Sequence, residues 1–546
     1  MKHISITALA IAAIMMAGCT NGYDDMMPQQ PGQQAQSANR VVTLTTTVGF
    51  DGNAQTRSLY DDGLKIFAIG DKIAVVYQNT SGEMVKQEVT LALADIKNNG
   101  KYARLTITAT NPQSDGKLRI VYPASMANDD GTVDMNQIYN EQDGSLDTFG
   151  NKYDVAAYDG KLDGAALPKN APLSNQLAVC NFTIKDDGNA FITSSITKLT
   201  IKNGKDVYHV TTSYLNNIWV GIKPITSGDI EVYAAKRKEL YRKKVTSNTS
   251  LAANTITPIN IKVSLIEGAT SGLFTANEDG DLIYFSRGNL TTMFTSHWDN
   301  WSFADKQYGY IGQAPGNTCI DIDDRYYGCV VDLFGWSTNA NTNYFGVNVS
   351  DEDETYMGDF YDWGIANIRN GGGRNKWRTP SATEYTHLLF QRSGTTINGV
   401  SNARFVRAYI GNYKTGGLIL FPDHYVHPDE LKLPGSQFIN NRAHSEADGA
   451  GTYDLYTTYE WLQMEAAGAV FLPAAGLRVG TEVAVRYYGQ RQGYHTSSIY
   501  AGVYVWTMGT DLRRLGSSTE CSFETGIWEK NRHVGCSVRL IGPVEQ

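Results

Sequence analysis

The sequence predicts a mainly β protein: a Greek-key β-sandwich region over residues 41–265, followed by an α+β domain over 273–546. Three observations carry that expectation. The first part runs as short β-branched segments punctuated by Gly, Asn and Asp, without any long stretch of helical period. Glycine (53) and tyrosine (32) are abundant, which suits short strands joined by tight turns. After residue 272 tryptophan becomes frequent, from Trp298 to Trp528, and two short helical patterns appear. A chain of 546 residues is long enough for two or more domains.

Val41–Phe50 opens the β region with the β-branched run VVTLTTTVGF. Lys72–Gln78, Tyr102–Thr108, Leu118–Tyr122, Ser195–Lys202 and Ile256–Leu265 continue in the same style. This grammar fits one Greek-key sandwich or two small ones in tandem. Residues 266–272, Ile-Glu-Gly-Ala-Thr-Ser-Gly, read as a linker. Beyond it, Ser381-Ala-Thr-Glu384 forms a capping box, in which hydroxyl and carboxylate each satisfy a free backbone N–H. Tyr385, Leu388 and Leu389 give that helix its apolar face. A second helix is expected over Tyr459–Ala467, carrying Trp461, Leu462 and Met464. Short strands are expected at Gly417–Phe421 and Ala469–Leu472. Alternation over Gly535–Ile541 predicts a closing strand.

At the N-terminus Lys2 and His3 precede an apolar run, Ile4–Ala17, which has signal-peptide length and is too short to span a membrane. Met16-Ala17-Gly18-Cys19 resembles the lipobox of bacterial lipoproteins. The resemblance implies that residues 1–18 are a signal peptide and that Cys19 carries the lipid. The chain would then hang from the outer membrane, and stable anchoring takes two or more acyl chains. Residues 19–40 are rich in Gln, Pro, Gly, Ser and Asn. They cannot bury enough apolar area to offset their ordering entropy, so they read as a flexible tether.

A net charge of −9 gives no support to a nucleic-acid partner. Export to an oxidising compartment permits disulfides. Of the three ways to pair the four late cysteines, Cys319 with Cys329 and Cys521 with Cys536 is the simplest. Cys180 lies in the apolar stretch Leu177–Phe182 and is expected as a buried free thiol. No cysteine spacing matches a zinc site, and no cofactor is expected.

The lipobox, the run Val41–Val48, the segment Gln55-Thr-Arg57-Ser58 and the segment Phe67–Val76 together resemble the fimbrillin-like lipoproteins of Bacteroidetes type V pili. The resemblance covers roughly residues 1–265. It implies that an arginine-specific protease cuts after the first strand, and that a strand from another subunit fills the groove left behind. An exposed row of backbone groups over an apolar slot is satisfied by strand addition. Arg57 sits in a polar, glycine-containing loop after the first strand and is the expected cleavage residue, with Arg40 the alternative.

The second part resembles a C-type-lectin-like domain common in Bacteroidetes surface proteins, distantly related in fold to formylglycine-generating enzymes. The residues that carry this include Ile283–Leu290, Trp301–Tyr308, Asp332–Thr338, Tyr361–Gly364, Trp377–Ser381, Glu384–Tyr385, Gly417–Asp423, Val470–Gly476 and Ser537–Leu540.

Formylglycine-generating enzymes hold copper with two nearby cysteines, whereas the late cysteines here stand ten and fifteen residues apart. Ser497 and Ser498 follow His495, but no carboxylate partner or nucleophile elbow accompanies them, so no enzyme is expected. The calcium motifs of animal C-type lectins are absent. Asp321, Asp323, Asp351 and Asp353 are the acidic residues that could supply oxygens to such an ion. A ligand surface is expected on the loop 337–376, through Tyr344, Tyr356, Asp359, Tyr361 and Trp363. Of these, Tyr344 and Tyr356 are expected at the surface, and Tyr361 and Trp363 in packing. A subunit that accepts a strand, but carries a bulky domain where its own donor strand would be, belongs at a pilus tip. The expected partners are other pilin subunits, a host or bacterial glycan or protein, and the outer membrane through Cys19. The alternative is an outer-membrane glycan-binding lipoprotein of a polysaccharide-uptake system, which keeps its first strand.

Overall fold

The computed structural model describes residues 40–50, 66–246, 250–293, 300–312, 316–317, 328–339, 345–397, 400–411, 415–431, 454–484, 491–511 and 525–544. The signal peptide, Cys19, the tether up to residue 39, Arg57, Cys319, Asp321, Asp323, Tyr344 and Cys521 lie outside the described residues. The chain is mainly β, as the sequence predicts.

The first sandwich uses β1 (Val41–Phe50), β2 (Lys72–Gln78), β3 (Met84–Thr90), β4 (Ile96–Lys97), β5 (Tyr102–Thr110), β6 (Lys117–Tyr122), β7 (Ala156–Lys161) and β8 (Asn170–Asn175). They form one eight-stranded sheet in the order β3-β2-β6-β7-β8-β1-β5-β4. Strict alternation in β5 sends Ala103, Leu105, Ile107 and Ala109 inward. The sheet curls until its ends face each other: Thr110 N donates to the Tyr77 hydroxyl (2.9 Å) and Gln87 Nε2 to Thr108 O (2.6 Å). Val75, Tyr77, Leu105, Leu118 and Ile120 fill the space between.

A second sandwich follows, built from β9 (Ala178–Lys185), β10 (Lys198–Asn203), β11 (Asp206–Thr211), β12 (Ile218–Ile222), β13 (Ile230–Lys236), β14 (Glu239–Val245), β15 (Ile256–Lys262) and β16 (Ser264–Leu265). Its two sheets run β11-β10-β13-β14-β16 and β12-β9-β15. Cys180 is the expected buried free thiol, and burial pushes it up to about 12. The expected strand Ser195–Lys202 begins only at Lys198. Thr193–Ser195 turns instead, because Thr193 Oγ1 accepts from Ile184 N at 2.8 Å. The expected strand Ile256–Leu265 divides in two. The chain crosses from one sheet to the other at the buried Val263, so β15 pairs with β9 and β16 with β14.

Residues 266–272 pack tightly. Ile266 N donates to Leu240 O (2.8 Å) and Thr270 N to Phe285 O (2.9 Å). Thr270 and Ser271 are buried, and a side chain on Gly272 would overlap Gly468. Tyr233, Ala235 and Leu240 of the second sandwich share one core with Leu273, Leu282 and Tyr284. Ion pairs Lys202–Asp281 and Lys238–Glu465 flank this contact.

The C-terminal region is a set of short sheets. Phe405–Ile410 and Thr415–Leu420 lie at the centre of a four-stranded sheet, and Arg491–Ala501, Tyr504–Asp511 and Thr525–Asn531 form a three-stranded one. The helix Ala382–Thr386 has the predicted Ser381–Glu384 capping box, with Tyr385, Leu388 and Leu389 buried. The second helix, Thr458–Ala466, starts at a Thr457–Glu460 box; Trp461 and Met464 are buried, while Leu462 is exposed. The expected closing strand reduces to Ile541–Gly542, which pairs with Tyr284–Phe285. Before it the chain touches a different neighbour at almost every step: Arg478 at Gly535, Phe334 at Cys536, Tyr494 at Ser537.

Candidate functional site

Two places follow from the sequence: the first strand and the loop 337–376. At the first strand, alternation buries Leu44, Thr46 and Val48 and turns Thr43, Thr45 and Thr47 away from the core. β1 lies inside the sheet. It pairs antiparallel with β5 from Val41↔Thr110 to Gly49↔Tyr102, and parallel with β8 from Thr47↔Asn170 to Phe50↔Leu173. Thr46 Oγ1 donates to Pro168 O at 2.6 Å, extending the β8 side. At the far end Phe50 stacks on Phe67 (centroids 4.4 Å) and meets Tyr122 edge-on (5.6 Å). At Gly49 a Cβ would come 2.6 Å from the Tyr102 ring, so the aromatic covers a position without a side chain.

The near end is clamped. Arg40 is exposed, yet its N–H donates to Asn111 Oδ1 (2.6 Å) and its carbonyl accepts from Asn111 N (2.7 Å). A protease binds its substrate as an extended segment with free backbone groups, so the Asn111 clamp opposes cleavage at Arg40. A cut there would also leave β1 in place, whereas a cut after Arg57 separates β1 from the rest of the fold.

The loop 337–376 differs from expectation. Tyr356 is fully buried, because its hydroxyl donates to Asn348 O (2.8 Å) or Ser350 O (3.0 Å) within the same loop. Trp363 is also fully buried; its Nε1 donates to Phe345 O (2.8 Å) and its ring stacks on His495 (5.3 Å). Tyr361 packs on Phe345 at 5.2 Å. Both therefore serve packing, as expected. Asp359 is exposed. The loop does not bring these side chains together on one open surface.

Asp353 is committed to the fold: its carboxylate accepts from Asn531 Nδ2 (2.6 Å) and lies 2.8 Å from His533 Nδ1, while Asp351 is exposed. No cluster of three metal-ligating side chains forms among the described residues. Cys536 is a free thiol, enclosed against Gly493, and burial pushes it up to about 12; its expected partner Cys521 lies outside the described residues. His495, noted in sequence only beside two serines, is a core residue. Its Nε2 lies 2.7 Å from Phe334 O, and burial pushes it down to about 4. Sequence reasoning misses Asn111; an asparagine entering a turn is too common to single out.

No protein-family model matches the chain. No curated protein matches it. Solved structures align at low similarity. One, from Bacteroides uniformis and assigned provisionally to cell adhesion, is 15% identical and covers 41% of this chain and 97% of its own, with TM-score 0.24. A fimbrial assembly protein from Parabacteroides distasonis is 10% identical and covers 45% and 96%, with TM-score 0.23. A fimbrial protein from Bacteroides ovatus is 9% identical and covers 92% and 99%, with TM-score 0.22. Likenesses of this strength carry no argument about function.

Proposed function

We propose that the chain is a surface adhesin subunit, placed at a pilus tip, whose first strand is exchanged for a strand from a neighbouring subunit. The observation that carries this reading is the position of β1. It is an interior strand at the start of the fold, with an apolar face in the core and both edges paired. Its removal would leave unpaired backbone groups on β5 and β8 above an apolar slot, which an extended segment of matching alternation fills. In the C-terminal region Ile541–Gly542 pairs with Tyr284–Phe285 inside that region's own fold.

N-terminal sequencing of protein in surface assemblies tests this. The expected mature start is Ser58, and Arg57→Ala should block incorporation while the chain still reaches the membrane. Assembled material that begins uniformly at Cys19 would sink the reading.

A further inference from the structure

Between β11 of the second sandwich and the C-terminal region lies a cleft of about 500 Å³, away from both the first strand and loop 337–376. Its lining includes His209 and His424, the side chains of His387, Gln391 and Ser393, and Glu278. We propose that this cleft binds a neutral, hydroxyl-rich ligand, a saccharide of one or two rings.

The charges at the cleft are already matched. Arg392 pairs with Asp423 at 2.8 Å and donates to Phe421 O (2.6 Å) and Leu388 O (2.9 Å). Asp423 also accepts from Thr275 N and Oγ1, both at 2.6 Å. An anion would therefore find its guanidinium occupied and would meet the exposed carboxylate of Glu278. Burial holds His209 and His424 below the ordinary imidazole value, so both are neutral near pH 7. A neutral imidazole offers one donor and one acceptor, the pairing a hydroxyl group needs.

The geometry joins the two regions. The His209 and His424 rings lie 3.9 Å apart at 31°, one from each region, and line the cleft together. His387 Nδ1 lies 3.2 Å from Gln391 Oε1. The His387 Nε2 is buried without a hydrogen-bond partner, and the Gln391 side chain is exposed at the rim. The volume falls within the usual range for small-ligand pockets.

The inference deepens the adhesin reading, on which it rests for the biological source of the ligand. The test is the full chain on an array of neutral, sialylated and sulfated oligosaccharides, then calorimetric titration with the best neutral one. Gln391→Ala and His209→Ala should each weaken binding roughly tenfold, the loss of about one hydrogen bond or ring contact. Ser393→Trp, at an exposed position, should abolish binding while leaving the melting temperature unchanged. Retention of acidic glycans only, retention of none, or unchanged binding in all three variants would overturn the proposal. A protein that binds neutral glycan but keeps its first strand in assemblies would overturn strand exchange and leave the cleft standing.

Discussion

The first sandwich and the C-terminal region hold themselves together differently. The first sandwich is a continuous ladder of strands around mostly aliphatic side chains, and the polar groups buried in its sheet are nearly all backbone. The C-terminal region joins short sheets through buried polar side chains. Arg539 Nη2 donates to Gln307 Oε1 (2.7 Å), which also accepts from Phe471 N, and Arg478 Nε donates to Leu333 O. A ladder can lose a strand and accept another of the same pattern. A network of individual side-chain bonds has no equivalent replacement.

The largest test of that contrast is Val48→Asp. A carboxylate placed at this fully buried position of β1 should cost the first sandwich about 4 kcal/mol or more. Denaturant unfolding should show the loss there, and the transition of the C-terminal region should stay where it is. A single shared transition that moves as one would break the comparison.

The second test is pH. Residues 41–175 contain no histidine, so the first sandwich has no imidazole to titrate. In the C-terminal region His495 is held at about 4. As pH falls from 6.5 toward 4, the unfolded chain takes up this proton before the folded one does, so His495 lowers stability by about 3 kcal/mol over that window. Asp332 works in the opposite sense. Burial raises it to about 6, so the folded form takes up a proton first and gains stability as pH falls. The two contributions oppose each other. The stability of His495→Gln relative to wild type should rise by about 3 kcal/mol between about pH 7 and about pH 4; a constant difference would reject the assignment.

The smallest test is Thr457→Ala, which removes the hydroxyl that accepts from Glu460 N and should cost about 1 kcal/mol, read as a shift in the C-terminal transition alone.

The contrast also explains what is legible in the sequence. β1 and β5 are legible because alternation is written directly in the residues. The Ser381 cap is legible because its partner is three residues away. Thr457-x-x-Glu460 carries the same local signal and caps the second helix, which starts at Thr458, one residue before the expected Tyr459. Tyr356 is not legible, because its stretch reads as a polar loop, and only the folded path brings Asn348 O and Ser350 O to its hydroxyl. The cleft is invisible in sequence, since His209 and His424 meet across two regions of the chain.

The clamp at Arg40 has a mechanical consequence. Tension entering at Arg40 along the axis of β1 loads the β5 and β8 ladders together, in shear, where many bonds resist at once. The Asn111 bonds hold the entry point in line with the strand, so that such a load does not peel the ladder open one bond at a time. Under the strand exchange proposed above, whichever strand occupies that slot would carry the pull between this chain and whatever holds the strand's other end.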